Sequence, residues 1–116
     1  MKRVLLLRHA EAMPAQGAQR DIDRPLSERG RAEALAVTQR IAASGLPIDV
    51  LYVSPAERTR ETGRILAAAL AIAGRLRIES ALYPGTPESL WATLQRADEQ
   101  VRCALLIGHN PGLSAL

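Results

Sequence analysis

Aromatic side chains are scarce in this chain, with two tyrosines, one tryptophan and no phenylalanine among 116 residues. Without aromatic platforms, and with its basic residues scattered rather than clustered, the chain lacks the footprint of a nucleic-acid-binding protein. Fifteen Lys and Arg against twelve Asp and Glu give a net charge of +3, a mild excess that suits an anionic ligand. A single cysteine, Cys103, excludes an internal disulfide and any multi-cysteine metal site. Lying beside an apolar run, it is expected to be a buried structural thiol. No apolar run approaches the roughly 20 residues that a membrane span needs. The chain enters its first apolar run without a cleavable signal pattern, so a cytoplasmic location is expected. Internal repeats and low-complexity segments are also absent. What remains is an ordinary globular balance, 47% hydrophobic and 23% charged, read as one domain over residues 1–116.

Three short apolar runs end abruptly in polar, chemically capable residues. Val4-Leu5-Leu6-Leu7 runs into Arg8-His9-Ala10-Glu11, Asp49-Val50-Leu51-Tyr52-Val53 into Ser54-Pro55-Ala56-Glu57-Arg58, and Ala104-Leu105-Leu106-Ile107 into Gly108-His109-Asn110-Pro111-Gly112. Continuous runs of this kind predict strands buried on both faces, as in a parallel sheet covered by helices. Ligands of open α/β sheets bind at the carboxyl ends of the strands. If the three strands are parallel neighbours, two arginines and two histidines converge on one rim.

Between the runs, the pattern predicts helices. Residues 13–23 hold Pro14 and Gly17 without periodicity and read as a loop. Ser27 is a candidate N-cap for a helix with Leu35, Ala36 and Ile41 among its apolar positions, stopping at Gly45. Ser54 as N-cap, Pro55 at the first helical position and Glu57 at the third predict a capping box. Counted from there, Arg58, Thr62, Ile65, Leu66 and Ala69 share a stripe, Arg60 faces solvent, and Gly74 ends the helix. Leu76-Arg77-Ile78-Glu79 alternates like an edge strand, and Tyr83-Pro84-Gly85 reads as a turn. Thr86 and Pro87 open a further helix through Leu90, Trp91 and Leu94, with Trp91 expected in the core. The βαβαβαβ order predicts a three-layer α/β/α sandwich with a mostly parallel sheet.

Phosphate explains the converging residues most economically. Arginine offers a fork of donors to two phosphoryl oxygens, a neutral imidazole can attack phosphorus, and a second imidazole can donate to the equatorial oxygens. An unperturbed histidine pKa of about 6.5 leaves much of the ring unprotonated at neutral pH. Helix N-termini after the second and fourth strands add backbone N–H groups to the same anion site. Each residue also has a plainer reading: an Arg-His pair as a salt bridge and a structural histidine, Gly-His-Asn-Pro-Gly as a turn, Arg58 as an ion pair with Glu11 or Asp23. All three plainer readings would have to fall at strand ends together.

Taken together, Leu7-Arg8-His9-Ala10-Glu11 resembles the Arg-His-Gly signature of the histidine phosphatase superfamily, with its phosphoglycerate mutase-like fold, alanine standing in the glycine position. Arg24-Pro25-Leu26-Ser27-Glu28-Arg29-Gly30 resembles the segment that opens that family's first helix, and Ser54-Pro55, Arg58, Thr62 and Gly108-His109-Asn110-Pro111 match its later motifs. The short loops are most similar to SixA-type phosphohistidine phosphatases. The resemblance implies that His9 is a transiently phosphorylated nucleophile and that Arg8, Arg58, His109 and Asn110 bind the phosphoryl group, with no metal or other cofactor. It implies a phosphorylated protein, or a small phosphorylated molecule, as the substrate; from the composition and the apolar run lengths, no nucleic-acid or membrane partner is expected.

Two departures from the family pattern stand out. Many members place an acid before the turn that here reads Ala81-Leu82-Tyr83-Pro84, and position 81 is alanine. Glu79, Glu88, Asp21 and Asp23 are the candidates to substitute, and the sequence does not choose among them. A phosphohistidine substrate tolerates the gap, because imidazole leaves more readily than an alkoxide. The chain also stops one strand short of what the resemblance implies, which is expected to leave a sheet edge unprotected. A mutase is disfavoured, since the loops that would hold a second phosphate look too short. The alternative from another class is a non-catalytic phosphate-binding regulatory module.

Overall fold

The computed structural model describes residues 3–97, 99–109 and 113. Four strands, β1 (Arg3–Arg8), β2 (Val50–Val53), β3 (Leu76–Ile78) and β4 (Cys103–Gly108), form one sheet in the order β1-β4-β2-β3. Every neighbouring pair is parallel. Helices α1 (Glu28–Ser44), α2 (Glu57–Ala69) and α3 (Pro87–Gln95) alternate with the strands along the chain. The mixed α/β architecture and its parallel sheet agree with the expected fold class.

β4 and β2 are the central strands and are buried at every position. Their alternate residues feed two cores. Leu51, Val53, Leu105 and Ile107 pack with Leu66, Ala67 and Ile72 on the α2 side, whereas Val50, Tyr52, Ala104 and Leu106 pack with Leu82, Leu90 and Leu113 on the α3 side. Full burial of each leucine or isoleucine contributes about 1.5–3 kcal/mol, so these two strands anchor the domain. Cys103 is buried as expected, and burial pushes its thiol pKa up.

Several local expectations are corrected. β1 is not buried on both faces: Leu5 and Leu7 pack against the core, but Val4 and Leu6 are each 44% exposed. At the edge of the described sheet, only one face of β1 is covered. Ser27 does cap α1, accepting from the Gly30 N–H, and Gly45 ends it in a left-handed conformation with φ 72°. The buried positions of α1, however, are Gly30, Ala34 and Thr38, one residue out of phase with exposed Leu35 and Ala36. α2 begins after Ala56 and has no side-chain cap, because the Ser54 hydroxyl is directed elsewhere. It ends at Ala69 rather than Gly74, with Ala71 turning the chain at φ 58°. Arg58, Thr62 and Leu66 face inward as expected, joined by Thr59, Gly63 and Ala67, while Ile65 is half-buried and Ala69 exposed. Arg60 faces solvent. β3 is the other edge strand, in agreement with its alternation. Thr86 caps α3 through a reciprocal box with Ser89, but Trp91 is 56% exposed rather than in the core. The helix expected after His109 begins outside the described residues.

Candidate functional site

The pairing register opens the site. Arg8 lies opposite Gly108, so His9 and His109 leave adjacent parallel strands side by side. The His9 N–H donates to the Gly108 carbonyl at 3.3 Å, and the two imidazole centroids are 5.3 Å apart. On the neighbouring strand, the Ser54 N–H donates to the Ile107 carbonyl at 3.1 Å, which brings the start of α2 to the same rim. The segment after His9 is clamped to the start of α1. Ser27 N–H donates to the Glu11 carbonyl at 3.0 Å and Met13 N–H to the Pro25 carbonyl at 2.8 Å.

Arg58 is buried, and its guanidinium reaches three acceptors. Nε–H donates to His9 Nε2 at 3.3 Å, Nη1 to the Asp21 carbonyl at 2.8 Å, and Nη2 to the Asp21 carboxylate at 3.0 Å. Asp21 therefore takes the place considered for Glu11 or Asp23 as the ion-pair partner. The same carboxylate accepts from the Tyr83 hydroxyl at 2.7 Å and from Arg24 Nη1 at 2.8 Å. The Tyr83 hydroxyl, with Arg24 and Arg58, holds the Asp21 carboxyl well below the usual carboxylate range. Tyr83 in turn sets its ring edge against His109, with centroids 5.6 Å apart.

Burial pushes both imidazoles toward the neutral form. Burial lowers the His9 pKa below 6.5, reinforced by Arg58, Arg8 and Arg24 and opposed by a bond to the Ala10 carbonyl. That carbonyl lies 2.6 Å from Nδ1 and can only accept, so the His9 proton sits on Nδ1. Nε2 is left with a lone pair, which is the acceptor that Arg58 Nε–H finds. Burial, with Arg58 and His9, lowers the His109 pKa to about 4. Its Nε2 lies 2.7 Å from the Ser54 hydroxyl, and its buried Nδ1 has no partner among the described residues.

Arg8, His9, Arg58 and His109 are thus brought together from three elements, and Arg8 is near enough to depress both imidazoles. Asn110 lies outside the described residues. A cleft of about 520 Å³ is lined by Arg8, His9, Glu11, Arg24, Glu33 and Thr62, among others. Two carboxylates disfavour a phosphate dianion there, whereas donors converge on the side of Arg58 and His109. Of the four acid candidates, Asp21 clamps Arg58, Asp23 pairs with exposed Arg20 at 2.9 Å, Glu79 lies 3.7 Å from Arg96, and Glu88 sits in the first turn of α3. Ala81 lies in a short turn over Ser80–Leu82. Among the described residues, no group of three or more His, Cys, Asp or Glu is placed to hold a metal ion. No helix of the described residues is long and apolar enough to cross a membrane.

Sequence reasoning missed Tyr83 and Arg24 as parts of the site and read Ser54 only as a cap. One signal was present for Arg24, its spacing of three from Asp21. For Tyr83, nothing local distinguishes a turn residue from one that reaches Asp21 across the fold.

Residues 4–83 match the histidine phosphatase superfamily, branch 1, and the chain belongs to it. An uncharacterized protein of Mycobacterium tuberculosis is 32% identical over 110 residues, covering 95% of this chain and 66% of that protein. Another, from Picosynechococcus, is 33% identical over 108 residues, covering 91% of this chain and 65% of its own length. The chain therefore spans just under two thirds of the length of these curated relatives. Among solved structures, the SixA protein from Agrobacterium tumefaciens superposes with a TM-score of 0.89 at 33% identity, over 98% of this chain and 73% of that one. The protein histidine phosphatase SixA complexed with tungstate matches with a TM-score of 0.86 at 28% identity, over 97% of this chain and 72% of that one.

Proposed function

We propose that this protein is a metal-independent phosphatase that hydrolyses phosphohistidine in proteins through a covalent intermediate on His9. The observation that carries the reading is the unprotonated Nε2 of His9, held by the Ala10 carbonyl on one side and facing Arg58 and His109 on the other. In the first step the Nε2 lone pair attacks phosphorus. The bond to the leaving imidazole nitrogen breaks, and the departing electron pair stays on that nitrogen, which takes a proton from water. In the second step a water oxygen attacks phosphorus, the P–Nε2 electron pair returns to Nε2, the water's surplus proton neutralises the hydroxide left by the first step, and inorganic phosphate leaves with His9 restored. Arg8, Arg58, His109 and Asn110 bind the phosphoryl oxygens, so that catalysis is mainly positioning and charge stabilisation.

The choice of phosphohistidine over an alkyl phosphate is supported by the absence of a proton donor at the expected place. Position 81 is alanine, and Asp21, the candidate acid nearest the site, is an anion tied to Tyr83, Arg24 and Arg58. An alkoxide leaving group needs a proton that this arrangement does not offer; an imidazole needs it less. The cytoplasmic location belongs to the same proposal and rests on the sequence alone.

Rapid-quench assays with a phosphohistidine-bearing protein, p-nitrophenyl phosphate and sugar phosphates test the reading. A burst of acid-labile phosphate on His9, fastest with phosphohistidine, is expected, and His9→Ala should fold normally but show neither burst nor turnover. Ligand bound and released unchanged would instead identify a phosphate-binding regulatory module.

A further inference from the structure

Ser54 stands where β2 hands over to α2, fully buried, so its hydroxyl proton needs an acceptor inside the protein. The oxygen takes a long contact from the Ala56 N–H at 3.4 Å, which does nothing for the proton. Among the described residues, the acceptor facing it is His109 Nε2, 2.7 Å away. If Nε2 carried the imidazole proton, the hydroxyl proton would be left without an acceptor, at a cost of about 1–3 kcal/mol. Donation from Ser54 to an unprotonated Nε2 removes that conflict. A neutral imidazole has one proton, which then resides on Nδ1.

Among the described residues, that nitrogen is the buried side-chain atom left without a hydrogen-bond partner. His109 is 6% exposed, and Nδ1 itself is closed off from bulk solvent. An N–H held without a protein acceptor beside His9 and Tyr83 is costly, and an anion bearing oxygen acceptors relieves the cost. The opposite tautomer would turn a lone pair toward the same oxygens and repel them.

We propose that Ser54 is a positioning residue that fixes His109 as its Nδ1–H tautomer, so that a neutral imidazole donates a hydrogen bond to a phosphoryl oxygen held beside His9 and Arg58. The identity of the anion rests on the phosphatase reading; the tautomer does not. Because Ser54 is donor rather than cap, the start of α2 goes without a side-chain cap, the local departure already noted.

The chain has two histidines, so nitrogen-15 spectra of the imidazoles contain two rings, and His9 serves as the internal Nδ1–H reference. At pH 7 we expect His109 to show a protonated Nδ1 and an unprotonated Nε2, with the Nδ1–H signal moving when inorganic phosphate is added. In Ser54→Ala the ring should shift toward Nε2–H or a mixture, and phosphate affinity should fall about tenfold, the loss of one hydrogen bond. Ser54→Thr, which keeps the hydroxyl, should restore both. A protonated Nε2 in the wild-type protein overturns the proposal even if the alanine variant fails to fold. Retention of Nδ1–H in Ser54→Ala, or unchanged affinity for phosphate, overturns it as well. A wild-type protein that shows the expected tautomer and binds phosphate but turns nothing over supports this assignment while refuting the catalytic reading.

Discussion

The Asp21 carboxylate lies 3.0 Å from Nη2 of Arg58, and the Asp21 main-chain carbonyl takes Nη1 of the same guanidinium at 2.8 Å. Both outer nitrogens are thereby engaged from the loop side, and the fork is turned so that Nε–H meets His9. A planar guanidinium with two of its edges fixed has little freedom at the third. The loop that carries Asp21 consequently sets the direction of a donor that the proposed reaction needs.

Replacing Asp21 by alanine is expected to raise KM about tenfold and to lower kcat with p-nitrophenyl phosphate, the loss of one charge-assisted contact that positions Arg58. Asp21→Asn keeps an acceptor for Arg58 and should recover part of the activity. The carboxylate is exposed, so melting temperature should change little, in line with an effect of about 1 kcal/mol or less. Steady-state kinetics beside thermal melting check this; kinetics identical to wild type would show that Arg58 does not depend on Asp21 for its orientation.

The two lowered histidine pKa values carry a pH signature. In the unfolded chain His109 titrates near 6.5, and in the folded protein near 4. Between those values the unfolded state binds more protons, so the contribution of the buried neutral ring is whole above pH 6.5 and is lost as pH falls toward 4. The change is on the order of 3 kcal/mol. Urea midpoints should decline across that window, and His109→Asn should remove this part of the slope. The acid limb of kcat/KM should lie below pH 6.5, because His9 must be neutral to attack and its pKa is also lowered. An acid limb above that value would contradict a neutral His9.

Gly30 is a third point of leverage. A Cβ built there runs into the carbonyl oxygen of Glu11, two residues beyond His9. Gly30→Ala must push α1 away from the segment that leaves β1, and a destabilisation of about 1–3 kcal/mol is expected from such overpacking. Denaturant unfolding measures it. Since the Ser27 bonds to Glu11 sit at the same junction, activity should fall with stability, unlike the Asp21 variants. A Gly30→Ala protein with wild-type stability would mean that the two segments can separate freely.

Features determined within a few residues were legible in the sequence. Apolar runs became strands, Ser27 and Gly45 bounded α1, and Thr86 with Pro87 opened α3, because caps and turns are set by local backbone chemistry. Ser54 was misread for the opposite reason. Its hydroxyl has a cap to offer locally, but it bonds a histidine 55 positions away. Trp91, Val4 and Leu6 were assigned to the interior on hydrophobicity alone, which says nothing about whether another element covers that face.

Alone, the order of amino acids determined which chemical groups stand at strand ends: an Arg-His pair after one apolar run, a Ser-Pro and an arginine after another, a second histidine after the last. The tertiary structure decided that β4 enters between β1 and β2. That placement makes His9 and His109 neighbours, with Ser54 bonded to the second ring and Arg58 reaching the first. Strand order is chosen by long-range backbone hydrogen bonds and by which faces the helices cover, and neither leaves a mark in the local periodicity of the chain.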